Sequence, residues 1–326
     1  MSLKSIMRFA IIAFIAILGL VGCAVWRPIG AIEVKTPRSL FLGEPDAEPP
    51  TLEAHAIVTG WVKAPANILI DQDAADLPAN LREPQWVPSI AYVVRHPERG
   101  VVILDTGLRA GACDYGMRPV YWVPCRNEPG DDLVSRIQEL GIEADEISYI
   151  IPSHFHGDHI SGLESLLAFT DAPILTTQTA LKTVRAPLRS LSGVPSQMLE
   201  RDMDMVIPDN AWSDDAGLGR VLDVFADGSL KLIETPGHTR GHVSAWLRVR
   251  EKSLLLTFDA AHLKANMDLQ VPSGAVASRA DAAGSLAALQ SLARTQPELE
   301  VIYGHEPEQW RCGRTVVKLG ATSCAG

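Results

Sequence analysis

Between positions 153 and 159 the chain reads S-H-F-H-G-D-H, which puts His154, His156, Asp158 and His159 close together in a protein with only nine histidines. Imidazole nitrogens ligate zinc and other divalent transition metals, and a carboxylate adds charge and can bridge two ions. In extended backbone, side chains two residues apart share a face, so His154 and His156 can converge on one ion. A turn at Gly157 then swings Asp158 and His159 toward a second. A polar loop with locally bonded histidines is the plainer alternative, but four ligand-type residues directly after a buried apolar run favour a metal.

Three later stretches offer the missing ligands. T-P-G-H-T-R-G-H (235–242) carries His238 and His242, T-F-D-A-A-H (257–262) carries Asp259 and His262, and Y-G-H-E (303–306) carries His305. Each is weak alone, because a single strand-end His or Asp is more often structural. Together they put ligand types at the ends of several strands, where an α/β scaffold assembles a site.

The elements that must position these residues are legible as strand-like runs at 54–62, 89–95 and 100–107. A helix follows over 131–141, with apolar spacing at Leu133, Ile137 and Leu140 and a stop at Gly141. I-S-Y-I-I-P-S (147–153) is a buried strand running into the histidine cluster. The second half predicts a helix over 177–185, strands at 221–226, 229–235, 242–249 and 253–258, an Ala/Leu-rich helix over 280–295 and a strand at 301–304. Two blocks of strands, each followed by helices, predict two sheets sandwiched between helices rather than one doubly wound sheet. Nothing between the halves reads as a linker, so residues 53–326 form one catalytic domain.

With 326 residues, 47% of them hydrophobic, the chain can bury a large core. A formal charge of -10 argues against a general nucleic-acid binder, which needs a basic face. Residues 1–22 combine Lys4 and Arg8 with an apolar run too short to span a bilayer comfortably, as a signal peptide does. Its L-V-G-C ending resembles a bacterial lipobox, which implies lipidation at Cys23, a Pro-rich tether over 23–52, and an exported lipoprotein anchored to a membrane, facing the periplasm or the outer membrane. A plain signal peptide or an uncleaved anchor is the alternative. Export permits disulfides among Cys113, Cys125, Cys312 and Cys324, and of three pairings the local one, Cys113 with Cys125 and Cys312 with Cys324, is preferred.

Taken in order, these motifs resemble the metallo-β-lactamase superfamily over roughly residues 55–312, with H-x-H-x-D-H at His154, His156, Asp158 and His159. The resemblance implies a four-layer αβ/βα sandwich, two mixed sheets between helices, with a two-metal site at its edge. By the same resemblance one ion takes His154, His156 and His238, the other takes Asp158, His159 and His305, and Asp259 bridges them. Zinc is the first expectation for both divalent ions, with Mn, Fe or Co as alternatives. Asp105 in D-T-G (105–107) is expected to orient a ligand, and His242 to support the site without ligating.

Two such ions can hold a hydroxide between them and polarise an acyl or phosphoryl oxygen, so the expected chemistry is hydrolysis. Asp158 is expected to pass a proton to the leaving oxygen. The stretch from L-L-L-T-F-D-A-A-H through V-P-S-G near 271 to I-Y-G-H-E-P-E-Q-W is similar to the quorum-quenching N-acyl-homoserine lactone lactonases, which implies opening of a lactone ring. Members of that group often carry a tyrosine three residues after the bridging aspartate, where this chain has His262. His262 is therefore expected to face the substrate, against a structural role. Tyr115, Tyr121 and Trp122 either line an acyl pocket or pack beside a Cys113–Cys125 bridge. The substrate is expected to be a small lactone or ester, and a homodimer is allowed but not required. The rivals are an organophosphate or aryl-ester hydrolase, a β-lactamase, a glyoxalase II-type thioesterase and, outside enzymes, a metal-binding surface lipoprotein.

Overall fold

The computed structural model describes residues 49–114, 123–184, 205–250, 252–296, 298–311, 313 and 315–320. The signal peptide, Cys23 and most of the tether lie outside these residues, as do Tyr115, Tyr121, Trp122, Cys312 and Cys324. No helix of the described residues is long and apolar enough to cross a membrane.

The first half builds β1 (Glu53–Ala64), α1 (Ala66–Leu69), β2 (Gln85–His96), β3 (Gly100–Leu104), β4 (Cys125–Arg126), α2 (Leu133–Glu139) and β5 (Ile147–Ile151). It continues with α3 (Gly157–Ile160), α4 (Leu163–Phe169), β6 (Leu175–Thr177) and α5 (Gln178–Val184). The second half builds β7 (Met205–Ile207), β8 (Ser213–Asp215), β9 (Gly219–Asp223), β10 (Leu230–Glu234), β11 (Val243–Val249) and β12 (Lys252–Phe258). After these come α6 (Lys264–Leu269), α7 (Arg279–Thr295), β13 (Leu299–Tyr303) and β14 (Val316–Lys318).

Of two six-stranded sheets, one has the order β14-β1-β2-β3-β5 with β4 paired to β1 and the other the order β13-β12-β11-β10-β9-β8, while β6 and β7 form a small parallel sheet of their own. Alternation along β2 shows why the sheets stack. Ile90, Tyr92 and Val94 enter the core between the sheets with Leu232, Leu256 and Ile302, while Ala91 and Val93 face a second core with Ile137, Leu163 and Leu166. A strand covered on both faces reads as a continuous apolar run rather than a half-polar one. Behind the second sheet, α7 buries Ala282, Leu286, Leu289 and Leu292, a helical stripe that starts at a Ser278 cap accepting from the Asp281 amide. Helix, sheet, sheet and helix make the four-layer sandwich.

Several boundaries move from the expected ones for local reasons. Leu52, at the end of the expected tether, is buried, and its amide donates to the Arg248 carbonyl. The strand expected over 100–107 stops at Leu104, because Asp105 adopts φ 57° and leaves the ladder. β14 was not expected, and it pairs antiparallel with β1 through His55 and Lys318. Cys113 and Cys125 are joined in a disulfide, with Cα atoms 5.3 Å apart.

Candidate metal centre

Each six-stranded sheet contains one parallel pair, β3 with β5 and β12 with β13, and several site residues follow directly from the carboxyl ends of these strands. Asp105 follows β3, Ser153 and His154 follow β5, Asp259 follows β12, and His305 lies just past β13. His156 caps α3, whose first turn carries Asp158 and His159, and His238 lies in the β10–β11 connection.

Backbone geometry is bent to fit. Phe258 takes φ 45° beside a register shift between β12 and β13, a conformation that costs about 1–3 kcal/mol and aims Asp259 inward. Gly304 is required by close approach, since a Cβ there would lie 2.9 Å from Asp259 Oδ1 and 2.5 Å from the Phe258 carbonyl oxygen.

The tautomers follow from the outer partners. The Asp105 carboxylate can only accept, so Ser153 donates its hydroxyl proton to Asp105 Oδ2 at 2.8 Å. Ser153 Oγ must then accept from His154 Nδ1 at 3.0 Å, which leaves His154 Nε2 as a bare lone pair. His159 Nδ1 donates to Asp105 Oδ2 at 2.8 Å, and His305 Nδ1 donates to the Pro88 carbonyl at 2.8 Å, so their Nε2 atoms are the ones turned inward, where a metal would displace any proton they carry. The two oxygens of Asp259 divide between two groups. Oδ2 lies 3.1 Å from His238 Nε2 and 3.5 Å from His154 Nε2, while Oδ1 lies 3.2 Å from both His159 Nε2 and His305 Nε2. Asp158 Oδ2 lies 3.6 Å from His305 Nε2 and 4.0 Å from His159 Nε2.

The ligand atoms of His154, His156, His238 and Asp259 lie close enough to share one ion, as do those of Asp158, His159 and His305. His154 Nε2, His159 Nε2 and Asp259 Oδ1 are buried without a hydrogen-bond partner. Lone pairs converging in a buried space repel one another unless a cation lies between them, so the donor set fits two divalent ions. His156 Nδ1 and His238 Nε2 are 2.8 Å apart, sharing a proton that a metal would displace.

His242 supports without ligating. Its Nε2 accepts from the Asp259 amide at 3.1 Å, so its Nδ1 carries the proton toward Thr235 Oγ1 at 2.8 Å. Burial first, then neighbouring histidines, push His154 and His242 well below the ordinary histidine value, and His156 to about 3. Burial also opposes charge on His159, but Asp259, Asp105 and Asp158 outweigh it and hold His159 well above that value.

The centre opens into a cavity of about 410 Å³, walled by Val62, Ile68, Leu69, Val87, Val123 and Val276. His262 lines this cavity as well, yet it is 1% exposed and its Nε2 lies 3.1 Å from Asp259 Oδ2, so it sits deeper than a simple substrate-facing side chain. Ser153 and Ser273 are the functional neighbours that spacing alone did not single out, although both stand within quoted motifs, S-H-F-H and V-P-S-G.

The sandwich and this edge site define a metallohydrolase-type α/β fold, and the chain belongs to the metallo-beta-lactamase superfamily, whose family model matches residues 84–305. It is similar to the N-acyl homoserine lactonase AttM of Azorhizobium caulinodans, 28% identical over 237 residues that cover 69% of this chain and 84% of that one. In structure it is similar to a quorum-quenching N-acyl homoserine lactone lactonase at 23% identity, with a TM-score of 0.63 over 82% of this chain and 97% of the other. It is also similar to AidC, a dizinc quorum-quenching lactonase, at 18% identity and a TM-score of 0.56 over 82% of this chain and 92% of the other.

Proposed function

We propose that this chain is an exported, lipid-anchored hydrolase that opens the lactone ring of N-acyl-homoserine lactones. The observation that carries the reading is a lone-pair-lined centre at the foot of an apolar cavity, which suits a polar ester head joined to an alkyl tail. The relatives named as lactonases support it.

His154, His156 and His238 would hold one ion, Asp158, His159 and His305 the other, and Asp259 would serve both. Zinc is the proposed metal for both positions, in keeping with the imidazole-rich set. When bound, the pair supplies a hydroxide near neutral pH and a Lewis acid for the ester carbonyl. Burial works against charge on Asp158, but His159 and His305 outweigh it and keep its carboxyl below the ordinary value. Asp158 is thus a base at rest. It takes the proton released as the nucleophile adds to the carbonyl carbon, then returns it to the ring oxygen as the acyl C–O bond breaks. His262 steadies the carbonyl oxygen, and the valine-rich wall holds the acyl chain. Residues 1–22 would direct export and Cys23 would carry the lipid, setting the domain on a membrane that such acylated signals cross.

The test is turnover of a substrate panel with metal content assayed in parallel: acyl-homoserine lactones of increasing chain length, a phosphotriester, a β-lactam and a thioester. Lactone opening that falls when metal is stripped is expected. Each methylene buried is worth about 0.8 kcal/mol, so kcat/KM should rise about fourfold per added CH₂ until the cavity is filled. Preference for any other panel member would replace the lactone assignment.

A further inference from the structure

Two buried rings of the site have hydroxyl groups behind them. Behind His262 Nδ1 stand Ser273 Oγ at 2.8 Å and the Leu69 carbonyl at 3.2 Å. Behind His242 runs a longer chain, and a group of one fixed character closes it at each end. At the inner end the Asp259 amide can only donate, and it does so to His242 Nε2 at 3.1 Å. At the outer end the Thr257 carbonyl can only accept, and Ser244 Oγ donates to it at 3.0 Å. Each hydroxyl has a single proton, so Ser244 Oγ accepts from Thr235 Oγ1 at 2.9 Å, and Thr235 Oγ1 accepts from His242 Nδ1 at 2.8 Å. Thr235, His242, Ser244 and Thr257 are all buried, away from competing solvent.

The need for this chain arises in the backbone. β12 shifts register against β13 near Phe258, whose φ is 45°, and Asp259 follows just past the ladder, where its amide needs another acceptor. A buried amide without a partner is costly, and His242 Nε2 supplies one. The same residue closes the loop that carries His238. Its carbonyl accepts from the Thr235 amide at 3.0 Å, while its ring donates to the Thr235 hydroxyl. The next amide, that of Val243, donates to the Ser153 carbonyl at 3.0 Å, one residue before His154. The segments that bear His154, His238 and Asp259 therefore meet at His242.

We propose that His242 is a positioning residue, held in the Nδ1–H tautomer by the Thr235–Ser244–Thr257 chain, that clasps the His238 loop to the Asp259 backbone and so sets the spacing of these two ligands. The proposal rests on the metal reading of the centre and is independent of the lactone. His238 Nε2 and Asp259 Oδ2 stand 3.1 Å apart, close enough for one ion to take both. With the proton on the other nitrogen, His242 would turn N–H against the N–H of Asp259, and the clasp would open.

The test reads the ring and the metal separately on the full chain. A long-range ¹H–¹⁵N spectrum of the histidine rings, with His242 assigned by its disappearance in His242→Gln, should show Nδ1 protonated and Nε2 bare, with zinc and without. Zinc affinity, read by competition with a chromophoric chelator, should fall about 10- to 100-fold in His242→Leu. His242→Gln, whose side chain has an oxygen to accept and an N–H to donate, should recover most of that loss. Ser244→Ala should weaken zinc binding when His242 is present, and change it by less than about twofold in the His242→Leu background, because the hydroxyl acts through the ring. A protonated Nε2 in the unsubstituted chain would overturn the proposal. So would undiminished affinity in His242→Leu, an equal loss in His242→Gln, or an equal effect of Ser244→Ala in both backgrounds. Should His242→Leu fail to fold, the spectrum and the affinity of Ser244→Ala alone still decide. Failure of the unsubstituted chain to bind zinc would instead remove the metal reading, and the spectrum of the metal-free chain would still decide the tautomer.

Discussion

Replacing Asp259 by asparagine tests the proposed centre most severely, because the two oxygens of this carboxylate face histidines of both proposed ligand sets. Its Oδ2 lies 3.1 Å from His238 Nε2 and its Oδ1 3.2 Å from His159 Nε2 and His305 Nε2. Burial resists its charge, yet His159, His262, His305 and His238 together hold its carboxyl well below the ordinary range. Asparagine keeps one oxygen, replaces the other by an amide without a usable lone pair, and removes the negative charge. A four-ligand zinc site is worth about 10–16 kcal/mol, or about 3 kcal/mol per ligand. The position facing the amide should therefore weaken by at least about 100-fold, and the other should weaken through lost charge. The assay is elemental analysis of metal per chain after gel filtration, beside lactone hydrolysis on the same fractions. Asp259→Asn should lose metal and activity together. Full metal content with full turnover would refute the bridging assignment and reduce Asp259 to a hydrogen-bond partner.

Stripping the metal should expose an unusual pH dependence of stability. His154, His156, His242 and His262 are pushed down by burial and by neighbouring histidines, so the unfolded chain takes up protons below about pH 6.5 that the fold refuses, and stability falls toward acid. His159 and His305 are pushed up by their carboxylate neighbours against burial; their contribution is complete below about pH 6.5 and is lost as pH rises through the raised values. Urea midpoints of chelated protein should thus peak near about pH 6.5, and a flat or monotonic profile would count against these assignments. Cys23→Ser should shift the chain from the membrane to the soluble fraction on cell fractionation, and continued membrane association would rule out the lipid anchor.

What could be read from sequence was chiefly what is local. His154, His156, Asp158 and His159 announce themselves because a strand end and one helical turn bring them together without help from distant chain. His238, Asp259 and His305 carry no such signal individually, and their place came from motif order, because convergence across two sheets is a tertiary fact. Motif order also points to Asp105 as the residue that orients a ligand, and it holds His159 and Ser153, but the apolar run through D-T-G places it in the strand, whereas Asp105 turns out of the ladder. Apolar patterning cannot report a backbone turn made for a hydrogen bond. β14 escaped notice because three residues are too few to show alternation. Ser273 was hidden for a different reason. A serine after proline in a loop looks like ordinary turn chemistry until the ring behind which it stands is in view.

The Cys113–Cys125 bridge bears on how the protein is made. Both cysteines pack against the cluster that contains Val62, Leu69, Val87 and Leu263, residues that wall the cavity or adjoin His262. Closing a loop of this size is worth about 3 kcal/mol in the chain-entropy picture. A preparation from a reducing cytoplasm would keep every metal ligand yet leave that wall unbraced. Material from oxidising and reducing hosts would then agree in metal content and differ in the tails it accepts, so a substrate range measured on one would not describe the other.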